Sequence, residues 1–159
     1  MAEEAATREK GPDMTTLETL IDPVREAYRA LWSRELTPAT AADIAVAAEF
    51  VEATSGSRLP DELVAFWQLT DGCGMNGATL YGASESVRTT EIYADDYPDY
   101  FMVGQLEDAP LYAFDAESRR WVTLEQGDLD YGPRAVHSSF EDLAAMVFDL
   151  MLGNRWTHW

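Results

Sequence analysis

The chain has 159 residues, the length of one ordinary domain, and 47 % of them are hydrophobic and 11 % aromatic, enough to fill a core and too many for a disordered acidic chain. Its 29 acidic and 11 basic side chains leave a formal net charge of −18, a field that repels nucleic acid and anionic membrane and speeds encounter with a basic partner. Cys73 is the only cysteine, which excludes a disulfide framework and a cysteine-based metal cluster; with no signal-peptide core and no apolar run of membrane-spanning length, the expected compartment is the cytoplasm.

Residues 1–13 read as a disordered tail ahead of a single domain over 14–159. Thr15 and Glu18 have capping-box spacing, and Leu17, Leu20, Ile21, Val24, Tyr28, Leu31 and Trp32 recur at three- and four-residue steps, which predicts a helix to about Arg34. Pro23 falls inside that pattern and predicts a break or a later start. Thr40 with Asp43 caps a second, Ala-rich helix carrying Ile44, Ala47, Ala48 and Val51, stopped by Ser55-Gly56-Ser57. Pro60 suits the first turn of a third, with Asp61 and Glu62 set against its N-terminal dipole and Leu63, Val64, Phe66 and Trp67 on its buried side.

From Asp71 the texture changes. Asp-Gly-Cys-Gly-Met-Asn-Gly is turn chemistry, and Ala78–Tyr81, Phe101–Gln105, Leu111–Phe114, Trp121–Leu124 and Ala135–His137 read as strands. Glu91–Tyr100 reads as a connecting loop. Ser138 or Ser139 caps a last helix whose Phe140, Leu143, Met146, Val147, Leu150 and Met151 face inward. The expected fold is a single α+β domain, with N-terminal helices and a C-terminal helix packed on a mainly antiparallel sheet of about five strands. Arg155, Trp156, His158 and Trp159 leave two tryptophans that are expected to pack back on the domain.

Each candidate chemistry has a plainer explanation beside it. Gly72, Gly74 and Gly77 have dinucleotide-fingerprint spacing, but a helix precedes and a strand follows, the reverse of what pyrophosphate binding at a helix N-terminus requires. A Cys73–His137 pair is geometrically open, yet a lone cysteine among glycines is ordinarily a turn or core residue, and His158 sits in a fraying end. The pairs Asp95/Asp96 and Asp128/Asp130 would need burial to serve as acid and base. Those aspartates and Asp99 lack the glycine and terminal glutamate of a helix-loop-helix calcium site. No catalytic residue, cofactor or metal is therefore assigned. What remains is Asp95, Asp96, Tyr97, Asp99 and Tyr100, with Glu107, Asp108, Asp128 and Asp130: carboxylates that pair with Arg and Lys, interleaved with rigid amphipathic rings. This composition fits an interface aimed at a basic surface, and fits equally a solvated loop whose tyrosines cover the sheet.

The helix Leu59-Pro60-Asp61-Glu62-Leu63-Val64-Ala65-Phe66-Trp67-Gln68-Leu69-Thr70-Asp71-Gly72 resembles that of the SUKH superfamily, whose SMI/KNR-type and YrhA-type members carry a Leu-Pro-acidic-x-Leu helix ending in an Asn/Asp-Gly turn. Asn76-Gly77-Ala78-Thr79-Leu80-Tyr81-Gly82 is similar to the family's glycine-led first strand, Phe101-Met102-Val103-Gly104 to the strand after its variable loop, and Ser139-Phe140-Glu141-Asp142-Leu143 to the start of its closing helix. Asp71, where asparagine is common, and the long first helix depart from the pattern. The resemblance implies an α+β fold and, for most bacterial members, an intracellular immunity role in which a toxin domain is neutralised by binding. Many such toxins are nucleases, whose substrate surfaces are basic. The implied partner is a basic toxin protein, a nuclease domain in particular, met by a monomer or weak homodimer without direct contact to nucleic acid or membrane. The family's regulatory and scaffolding members are the alternative, and a carboxylate hydrolase a third reading.

Overall fold

The computed structural model describes residues 14–107, 110–125 and 132–154; the predicted tail 1–13, Asp108, Asp128, Asp130 and the Arg155–Trp159 end lie outside them. Asn76 and Gly77, both at positive φ (53° and 82°), form a two-residue turn of the kind that matches the twist of a hairpin, and it joins β1 (Gly72–Met75) to β2 (Ala78–Tyr81). β3 (Tyr100–Leu106), β4 (Leu111–Asp115), β5 (Arg120–Leu124) and β6 (Ala135–His137) follow, each antiparallel to its predecessor, in one six-stranded sheet ordered as the chain runs. Among the described residues five helices accompany it: α1 (Met14–Trp32), α2 (Ala41–Ser55), α3 (Asp61–Leu69), α4 (Ala83–Tyr93) and α5 (Phe140–Met151). The fold is α+β in a single domain, with one strand more than expected.

The extra strand is β1, read from sequence as a turn because two of its four residues are glycine. Its outward-facing backbone groups are closed by side chains: the Tyr28 hydroxyl donates to the Gly74 carbonyl (3.0 Å) and accepts the Gly74 N–H (2.8 Å), and the Thr70 hydroxyl donates to the Gly72 carbonyl (2.7 Å). An edge blunted in this way cannot template pairing with another chain. Two of the predicted caps are in place, Thr40 accepting from the Asp43 N–H and Ser139 from the Asp142 N–H, each at 3.1 Å.

α1 departs from expectation in running through Pro23 without a break, and Thr15 lies within the helix; its end at Trp32 is close to the predicted one. Burial of Leu17, Ile21 and Val24 outweighs the backbone bond that the proline removes. The stripe also stops early, since Leu31 is 63 % and Trp32 46 % exposed.

The sheet has two apolar faces. One packs Phe101, Val103, Phe114 and Trp121 against Phe66, Phe140 and Val147 of the helices in the main core. The other carries Tyr81, Met102, Leu111, Ala113, Val122 and Leu124 in a smaller cluster with Tyr97. No helix among the described residues is long and apolar enough to cross a membrane.

Candidate partner-binding face

β2 pairs with β3 only over Gly104–Leu106, leaving the upper half of β3 without a strand on that side. α4 fills the gap. Its start is tied to Asp71, whose Oδ1 accepts the Ala83 N–H at 3.0 Å, and its buried Thr90 accepts the Met102 N–H at 2.8 Å. Sequence reading treated Glu91–Tyr100 as loop throughout; its first three residues are the end of this helix. α4 was not legible because Ser, Thr and Ala make up its inner side, so apolar periodicity is nearly absent.

Beyond Tyr93 the chain winds on in tight turns, with the Tyr97 N–H on the Tyr93 carbonyl (2.9 Å) and the Tyr100 N–H on the Tyr97 carbonyl (3.3 Å). This puts Tyr93, Tyr97 and Tyr100 on one side, with edge-on ring centroids 6.0 and 6.4 Å apart. Tyr97 is 5 % exposed, packs into the smaller cluster, and donates its hydroxyl to the Glu125 carbonyl at 3.2 Å. Tyr97 therefore covers the sheet rather than presenting a contact ring, and Tyr100 is half-buried.

The carboxylates take the other side. Asp95, Asp96 and Asp99 are exposed, Glu91 joins them from α4, and none forms an ion pair among the described residues. Ile92, 71 % exposed, stands between Glu91 and Asp95. Across the β4–β5 turn, Asp115 accepts the Glu117 N–H (3.0 Å) and the Ser118 hydroxyl (2.8 Å), and Glu117 is exposed. Asp115, Asp99 and Glu117 stand near Tyr100, whose hydroxyl is pushed above its ordinary pKa first by burial and then by these three carboxylates. Two of the nearby arginines are engaged elsewhere. Arg88 pairs with Glu85 on its own helix, and Arg119 is spent on Ser57, the Arg58 carbonyl (3.1 Å) and the face of Phe114, 5.1 Å from its centroid.

Glu107 does not belong to this face. It follows the far end of β3, six residue steps or about 20 Å from Tyr100, where its N–H binds the Gly77 carbonyl at 2.7 Å. Sequence reading missed Glu91, Ile92 and Glu117. The four-residue spacing of Glu91, Asp95 and Asp99 would have found the first.

The other candidate chemistries are corrected or bounded by the sheet. β1 and β6 are its opposite edges, five strand spacings or about 24 Å apart, so Cys73 and His137 do not meet. Cys73 is buried and its thiol pushed up to about 12 by desolvation, the reverse of an activated nucleophile. His137 Nε2 lies 2.8 Å from the Thr123 hydroxyl, tying β6 to β5 at the wall of a cleft of about 100 Å³ under α5; burial pushes its pKa down, against a smaller opposing effect of Asp142. Gly72 and Gly74 lie in β1 itself, preceded by α3, which is not a phosphate-binding order. Asp95 and Asp96 are open to water, without the burial that acid–base chemistry needs. Among the described residues no group of three or more His, Cys, Asp or Glu side chains could hold a metal. The chain matches no model of a known family and no curated protein.

Proposed function

We propose that this protein is a cytoplasmic binding protein of the immunity type, which neutralises a basic toxin domain, a nuclease domain foremost, by occluding it stoichiometrically with the acidic face of α4 and the segment after it. The observation that carries the reading is the sorting of the 91–100 segment: Glu91, Asp95, Asp96 and Asp99 stand exposed and form no ion pair among the described residues, while Tyr97 beneath them is locked into the sheet. Carboxylates on a rigid platform are already oriented for a basic partner and lose little freedom on binding it. A nuclease domain needs a positive groove for phosphates, and an acidic face of matching shape would fill it. The likeness of Leu59–Gly72 to the SUKH helix supports the immunity role and makes the superfamily the proposed kinship.

The test compares the parent with a variant carrying Asp95→Lys, Asp96→Lys and Asp99→Lys, shown to be folded, as baits in lysate of the native host at low and physiological salt. The parent is expected to retain one basic protein whose enzymatic activity it inhibits at one-to-one ratio, and the variant to bind it at least tenfold more weakly. Equal binding by the two refutes the acidic-face mechanism; capture of a signalling or cell-wall complex instead would replace immunity with the regulatory role.

A further inference from the structure

Beneath the acidic segment lies a cleft of about 60 Å³ between the C-terminal half of α2, the end of α4 and residues 97–101. Its floor is apolar and fully packed, with Val51 1 % and Phe101 4 % exposed, and the rings of Phe50, Tyr97 and Tyr100 stand round it. Asp99 lines the mouth, exposed to solvent. Two helices also end here. Val51, Thr54 and Ser55 belong to the last turn of α2, and Ala94 caps the C-terminus of α4; neither helix has a basic residue in its last turn. Each helix C-terminus carries roughly half a negative charge on its terminal carbonyls. Asp99 and the two helix ends thus give the cleft a negative potential by independent means.

We infer that this cleft is the anchor pocket for a single arginine side chain of the partner, its methylenes on the apolar floor and its guanidinium at the mouth, beside the half-buried Tyr100 and paired with Asp99. The inference rests on the acidic face being the binding face and names what that face grips. A cavity needs about 10–15 Å³ to hold one water, and this cleft, at about 60 Å³, has room for a larger group. Arginine fits better than lysine, because a planar, weakly hydrated guanidinium stacks on aromatic faces and a compact ammonium does not. A desolvated arginine near the centre of an interface is also the residue type that most often dominates binding.

The test is a titration of the whole ¹⁵N-labelled protein with N-acetyl-arginine methylamide, followed by amide chemical shifts, with N-acetyl-norleucine methylamide as the uncharged probe of similar stem. The arginine probe should give saturable shifts confined to residues 50–55 and 94–101, with a dissociation constant on the order of 1–10 mM, as expected for so few contacting atoms. The norleucine probe should bind at least tenfold more weakly. Asp99→Asn should weaken the arginine probe at least threefold, and Ala94→Leu, at an exposed position on the rim, should block it; both variants keep the parent's spectrum elsewhere. Shifts spread evenly over other acidic surfaces, or equal response to the uncharged probe, overturn the pocket. If the probe fails while the triple lysine variant loses the partner, the face stands and the pocket falls. If the probe binds but no basic partner is retained by the parent, the pocket stands and the immunity reading falls.

Discussion

Replacing Tyr97 with alanine removes a ring that is 5 % exposed and packed against Met102, Leu111, Val122 and Leu124. A buried aromatic side chain takes about 150–250 Å² out of water, and truncating one to alanine costs about 3–5 kcal/mol when the site collapses only partly. Tyr93 and Tyr100, at 6.0 and 6.4 Å, lose their ring partner as well, which favours the upper part of that range. Tyr97→Phe keeps the packing and loses only the 3.2 Å bond to the Glu125 carbonyl, for about 0.5–1.5 kcal/mol. In urea, with a slope of about 2 kcal/mol per molar, Tyr97→Ala should lower the midpoint by about 2 M and Tyr97→Phe by under 1 M, read by tryptophan fluorescence and far-ultraviolet dichroism together. Asp95→Asn and Asp96→Asn should stay within about 0.5 kcal/mol of the parent, as surface substitutions do. If Tyr97→Ala costs under about 1 kcal/mol, the ring does not hold the segment down, and the division into a structural tyrosine and functional carboxylates is wrong.

Two further outcomes follow from the backbone and from titration. Gly72→Ala should lower the thermal midpoint by roughly 6–12 °C, because at φ +83° its Cβ would stand 2.5 Å from the Gly82 nitrogen and 2.9 Å from the Leu80 carbonyl, backbone atoms that cannot yield without opening the hairpin. Gly56→Ala, at φ +73° with nothing within 4 Å of the new Cβ, should cost only about 2–4 °C; equal losses would show that conformational preference rather than contact sets the cost at Gly72. Burial pushes the Cys73 thiol and the Tyr81 hydroxyl each up to about 12, so the folded state keeps protons that the unfolded chain gives up nearer pH 9 and 10. Their contribution to stability is fully present below pH 9 and is lost as pH rises toward 12. Cys73→Ala should flatten the fall of the urea midpoint between pH 9 and 11, and an unchanged slope would refute the assignment.

Elements with strong periodicity were legible in the sequence and those held by tertiary contacts were not. α2 and α5 carry their own side-chain caps and α3 and α5 their own apolar sides, and strands β2 to β5 are apolar runs of the right length bounded by turn residues. β1 is a strand because Tyr28, 46 residues away, and Thr70 satisfy its outer edge, and Ala83–Tyr93 is a helix because β3 lacks a strand beside it there. Neither cause can be read from local composition. α1 erred in the opposite direction: its pattern continues to Trp32, but the core it serves ends near Val24 and Tyr28, leaving Leu31 and Trp32 in solvent.

The candidate face follows the same logic one level down. Composition alone showed carboxylates mixed with tyrosines between 91 and 100, and left open whether they form an interface for a basic partner or a solvated loop whose tyrosines cover the sheet. Spacing separates them. Tyr93, Tyr97 and Tyr100 recur at steps of four and three, while Glu91, Asp95 and Asp99 recur at steps of four, offset by two residues. In any helical or tightly turned chain these two sets fall on different sides. A segment with one such side of rings needs an apolar surface to lie on, and the second face of the sheet supplies it through Met102, Leu111, Ala113 and Val122. Once the rings are committed there, the carboxylates can only face outward, and none of them forms an ion pair among the described residues. Glu107 is excluded by the same geometry, since the length of β3 carries it to the other end of the sheet however close it stands in sequence. The proposed contact surface among the described residues is one helix end, one turn segment and the tip of the β4–β5 connection, with Ile92 and the cleft beside Asp99 as the places where a partner's side chains would find carbon as well as charge.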